Sequence, residues 1–108
     1  MKYKVVLTEQ TQIDLRDIYE YIAFTLLEPG IAVRQLERIE KAILSLDEMP
    51  NRFKTFENEP WYSRGLHKMP VDNFIVFYIP NIADKIVTII RVMYGGRDID
   101  AQLKNTKC

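Results

Sequence analysis

Cysteine and histidine are almost missing from this chain. One Cys and one His stand among 108 residues. A lone cysteine, Cys108, excludes an internal disulfide and suits a reducing compartment. One Cys with one His is too few for a zinc centre, so no metal and no cofactor are expected. Long apolar runs are absent too. Nothing approaches the ~20 residues that span a bilayer, so no membrane role is expected. The apolar stretch in MKYKVVLTEQ is far too short for a signal peptide, which makes a cytoplasmic setting the expectation. There is no internal repeat and no low-complexity tract. An excess of charge is also lacking, since Lys and Arg equal Asp and Glu at 15 each. The balance is uneven along the chain. Residues 1–49 carry six basic and nine acidic side chains, and residues 50–108 carry nine basic and six acidic ones. A basic half can meet phosphate, but strong nucleic-acid binders are usually more basic than this.

What is present reads as one domain with one core. Tyr3, Val5 and Leu7 alternate with Lys4 and Val6, a period of two that predicts a short strand. Thr8 is placed to cap a helix. Ile13, Leu15, Ile18, Tyr21, Ile22, Thr25 and Leu26 recur at helical spacing. Asp14, Arg16, Asp17 and Glu20 lie between them, on the expected outer face. Pro29-Gly30 breaks that helix. Val33, Leu36, Ile39, Ile43 and Leu46 define a second helix, expected to stop near Met49 because Pro50 disfavours helix before it. So short a join predicts an antiparallel helical hairpin.

Residues 50–62, PNRFKTFENEPWY, have no period. They read as an ordered loop pinned by Phe53, Phe56 and Trp61. Its rings either cap the edge of the core or leave faces open to a partner. The remainder is β. A strand is expected within residues 62–71, with Leu66 and Met69 inward. Asp72-Asn73 turns the chain into a strand over residues 74–79. Residues 80–84 turn it again into a strand over residues 86–94. Short turns imply antiparallel neighbours, and the continuous apolar runs imply strands covered on both faces. The fold class is α+β, order β-α-α-β-β-β. The domain spans residues 1–103 with a polar tail over residues 104–108.

The stretch RVMYGGRDID raises a chemical question. A strand that leaves through Gly95-Gly96 turns sharply, or lets another backbone or a nucleotide approach. Arg97 follows at once, with Asp98 placed to orient its guanidinium or to cap a short terminal helix. His67, Lys68, Tyr94 and Arg97 are side chains of this region that can move a proton or hold an anion. Neighbours on a strand point to opposite faces, so only one of His67 and Lys68 is expected at a given surface.

The helix ending RIEKAILSLDEMP, the stretch GLHKMPVDNFIVFY and the exit RVMYGGRDID, in this order, resemble the RelE/ParE family of bacterial type II toxin–antitoxin toxins. The resemblance spans nearly the whole chain. It implies a growth-inhibiting toxin neutralised by a cognate antitoxin. It also implies a catalytic set of Lys68, Arg97, Tyr94 and His67 in a ribosome-associated, metal-independent mRNA endonuclease. Arg64 and Arg91 are the candidate RNA contacts. Phe53, Phe56, Trp61 and Tyr62, with the helical hairpin, are the candidate antitoxin contacts. One departure matters. Ile75 stands where RNA-cleaving members usually carry arginine. The alternatives are a ParE-like poison of DNA gyrase without nuclease activity, which the long helix pair resembles, or an inactive antitoxin-binding protein.

Overall fold

The computed structural model describes residues 2–96, 99–104 and 106. The first strand, β1, covers Lys4–Leu7, and Thr8 then caps helix α1, Glu9–Glu20. The Thr8 hydroxyl accepts from the Thr11 amide, which satisfies one of the free donors of the first turn. The helix continues as a π-helical turn, Tyr21–Thr25. Leu27 closes the join in left-handed backbone, with φ at 57°. Helix α2 covers Pro29–Leu44, with Pro29 in its first turn where the missing N–H costs nothing. Pro29-Gly30, expected to break the first helix, thus opens the second, the first having already ended at Thr25. A single 3-10 turn, Ser45–Asp47, follows.

Strands β2 (His67–Val71), β3 (Phe74–Asn81) and β4 (Ile86–Tyr94) complete a four-stranded sheet of order β1-β4-β3-β2. A short helix, α3, covers Ile99–Lys104. β2, β3 and β4 are antiparallel neighbours, as the short turns required. β1 pairs with β4 in parallel, with Lys4 opposite Ile86 and Leu7 opposite Ile89. The hairpin of α1 and α2 is the crossover that a parallel pair needs.

Both faces of the sheet are covered. On one face Leu15, Ile39, Ile43 and Leu46 pack on Met69, Val76, Tyr78, Val87, Ile89 and Val92. On the other, Phe56, Trp61, Leu66 and Leu103 pack on Phe77, Ile90 and Met93. A third cluster, Ile22, Ala23 and Ala32, holds the tip of the hairpin together. The alternation of β4 breaks once. Phe77 faces Arg91 but Tyr78 faces Ile89, so Ile90 is an extra, bulged residue. The bulge changes the phase of the strand. Val87 and Ile89 face the helices, and beyond the bulge Val92 does so.

Some sequence expectations change here. Asp14 was assigned to the outer face of its helix, yet it is buried. Thr25, Leu26 and Val33 were assigned to buried stripes, yet they are exposed. The π turn explains the first two, because its wider repeat rotates the following residues off the stripe set by Leu15 and Ile18.

Candidate functional site

β1 is short, and its pairing stops at Leu7 opposite Ile89. The outer edge of β4 beyond that point would present bare backbone groups. Side chains of α1 take them over. Thr11 Oγ1 donates to the Ile89 carbonyl at 2.9 Å, and the Asp14 carboxylate accepts from the Val92 amide at 3.1 Å. The same carboxylate accepts from Arg91 Nε and Nη2, each at 2.8 Å. Gln10 Nε2 donates to it as well, at 3.0 Å. Arg91 Nη1 reaches on to Thr106 Oγ1 at 3.1 Å. One buried ion pair therefore joins α1, β4 and the chain beyond α3. With every oxygen and nitrogen partnered, it avoids the penalty of an unpaired buried charge.

Above this pair opens a cleft of about 830 Å³. Helix α1 supplies Gln10, Asp14, Asp17 and Ile18, and Tyr21 follows them on the same face at intervals of three and four residues. The sheet supplies Phe74 and residues 91–94 of β4, and α3 supplies Gln102. Tyr94 is half exposed, and its ring meets Phe74 edge-on at 6.0 Å. A smaller hollow beside it is lined by Asn73, Ile75, Gly95 and Gly96, among others. Gly95 donates its amide to the Asn73 carbonyl at 2.8 Å, which continues the β3–β4 pairing into the exit. A Cβ on Gly96 would stand 2.5 Å from Tyr94 Cε2, so this glycine admits the tyrosine ring.

The predicted catalytic residues do not converge here. His67 pairs with Tyr78 in the register, on the helix-covered face, and is buried. Its ring lies 5.3 Å from that of Tyr78 at 30°. Its Nδ1 is 2.8 Å from the Gly65 carbonyl, and since a carbonyl only accepts, Nδ1 carries the proton. Lys68 pairs with Phe77 and so lies on the opposite face. Tyr94 pairs with Phe74, four residues along β3 from the partner of His67, which is about 13 Å at strand spacing. Arg97 and Asp98 lie outside the described residues.

The predicted contact residues also sort themselves. The Arg91 guanidinium, expected to contact RNA, is buried against Asp14. Arg64 is exposed, with its guanidinium 4.9 Å from the Trp61 ring centre. Phe56 and Trp61 are buried in the second core cluster, so they cap the core and present no open ring face. Phe53 is partly buried under Arg52, and Tyr62 is exposed. Asp14, Asp17 and Tyr21 were not singled out as site residues: the two acids were read as outer-face residues and Tyr21 as part of the buried stripe, yet Tyr21 is exposed and all three line the cleft.

Comparison with known proteins identifies the architecture. The family model described as ParE toxin of the type II toxin–antitoxin system parDE matches residues 5–99. No curated protein matches the chain. Among solved structures, a chain of the chromosomal ParDE system from P. aeruginosa superposes with a TM-score of 0.70 at 19% identity, covering 86% of this chain and 96% of that one. A chain of the RelBE2 toxin–antitoxin complex from Mycobacterium tuberculosis does so with a TM-score of 0.61 at 21% identity, covering 87% and 99%. An E. coli RelE mutant in the free state gives 0.64 at 13% identity, covering 94% and 93%. At these identities the structures speak for the fold alone. The family model spans all four strands and both long helices, and on that match the chain belongs to the ParE toxin family of type II toxin–antitoxin systems.

Proposed function

We propose that this toxin arrests growth as a ParE-type poison of DNA gyrase, without cutting RNA, and that a cognate antitoxin masks it in the cytoplasm. The observation that carries this reading is the separation of His67, Lys68 and Tyr94. A base, an acid and a phosphate-holding cation must meet within hydrogen-bond reach of one substrate. Here His67 is stacked and buried, Lys68 is on the other face, and Tyr94 is at the far end of the strand. Arg91 is the one cation among the described residues that line the cleft, and Asp14 neutralises it. Ile75 supplies no charge to the developing phosphate. A surface of this kind suits binding better than phosphoryl chemistry.

The antitoxin partner rests on the family, and solved neighbours such as RelBE2 are toxin–antitoxin complexes. The experiment is tightly controlled induction of the toxin alone in a bacterium, with amino-acid and thymidine incorporation followed side by side. DNA synthesis is expected to fall first, with mRNA intact. A Lys68→Ala variant is expected to arrest growth as the parent does. If protein synthesis falls first and Lys68→Ala relieves it, the chain is an mRNA endonuclease and the gyrase reading is abandoned.

A further inference from the structure

We infer that the cleft between α1 and the end of β4 seats an arginine side chain carried on an apolar segment of the antitoxin. The inference rests on the toxin reading above and adds the chemistry of what covers this surface. Its basis is charge and ring geometry. Within the cleft the Asp14 and Arg91 charges cancel, at 2.8 Å and fully hydrogen-bonded. Asp17 is left as the one carboxylate without a side-chain partner among the described residues that line it. No cation is left over among those residues. Aromatic residues line the same cleft: Tyr21, four residues after Asp17 at the start of the π turn, and Phe74 and Tyr94 from the sheet. Tyr21 and Tyr94 are each more than half exposed. A carboxylate that shares a cleft with exposed aromatic residues is a complement to a planar guanidinium, which can stack on a ring and donate to a carboxylate.

The chain that follows Asp17 has a related character. Arg16 pairs with Glu20 at 3.7 Å, and from Asp17 to Ile31 that leaves Asp17 and Glu28 as carboxylates with no Lys or Arg in the stretch. Phe24 and Leu27 along this stretch are 67% and 77% exposed. An apolar partner segment flanked by basic residues fits that path, and an acidic one is repelled from it. A cleft of about 830 Å³ is on the scale that takes several side chains, so the arginine has room for its apolar neighbours.

The test uses N-acetylargininamide as the probe, titrated into the purified full chain and followed by amide NMR. Saturable shifts are expected at Tyr21, Val92 and Tyr94. Asp17→Asn and Tyr21→Ala each lie on the surface, and each should weaken binding about threefold while leaving the remaining spectrum in place. N-Acetyllysinamide should bind more weakly than the arginine probe. Absence of saturable shifts, or binding indifferent to Asp17→Asn, overturns the inference. Equal binding of the lysine probe overturns the choice of arginine. Self-association of the chain that Asp17→Asn abolishes would mean that a second copy fills the cleft, which overturns the antitoxin as occupant. Growth arrest by the parent chain is scored separately, so loss of the toxin reading and loss of the cleft assignment are distinguishable.

Discussion

Asp14 and Arg91 are 77 positions apart in the chain and form a bidentate pair, each contact 2.8 Å long, with both side chains under 10% exposed. The carboxylate also closes the open edge of β4 by accepting the Val92 amide. Removing one partner leaves the other charged and buried. Asp14→Ala is therefore expected to cost about 3–5 kcal/mol, read from denaturant unfolding. Arg91→Met paired with Asp14→Leu should cost less than the two single changes added together, because neither charge is then stranded.

Trp61 packs in the second core cluster. With 4% of it exposed, it packs under Arg64 among Phe56, Leu66 and Phe77. Trp61→Ala should lower unfolding stability by about 3–5 kcal/mol. Tyr62→Ala, one residue on and exposed, should change it by less than about 0.5 kcal/mol.

Tyr78 is fully buried, and its hydroxyl donates to the Pro50 carbonyl at 2.6 Å. Burial pushes its pKa up to about 12, and the positive charge of Arg52 offsets part of the rise. The unfolded chain ionises this group near pH ~10, while the folded chain holds the proton. The stability from this group is thus complete below about pH 10 and is lost as pH rises toward 12. Urea midpoints of the parent should fall more steeply above about pH 10 than those of Tyr78→Phe. At neutral pH the same variant should be less stable by about 1–3 kcal/mol, since the Pro50 carbonyl loses its donor.

Gly96→Ala should act through Tyr94. The new methyl would stand 2.5 Å from Cε2 of a half-exposed ring, so the ring must swing away and give up its contact with Phe74. A loss of about 1 kcal/mol is expected. In a Tyr94→Ala background the same change should be close to neutral, which a double-mutant cycle measures directly.

Most of the scaffold was legible in the sequence because its periods are clean. Residues 86–94 were read as a strand with the bounds observed, and Thr8 was read as a cap. Leu66, Met69 and the two-sided cover of the central strands also followed from pattern. Other features came from tertiary context. Asp14 looks like a surface residue until β4 supplies Arg91 and Val92 as partners. The bulge at Ile90 leaves no mark in a run of apolar residues. The parallel pairing of β1 depends on the distant end of the chain. At the candidate site, the separation of His67 from Lys68 was readable from strand alternation. The cleft itself was not, because it forms between elements far apart in sequence.

The pairing of β1 with β4 has a consequence for the life of the molecule. Synthesis is vectorial, and β1 is made well before β4, yet among the described residues β4 is its one neighbour in the sheet. The sheet, and with it the wall of the cleft formed by residues 91–94, cannot close on a nascent chain that stops short of β4. A chain cut before β4 would carry the helical hairpin but not the finished cleft. The order of the strands therefore ties closure of the sheet to synthesis of β4.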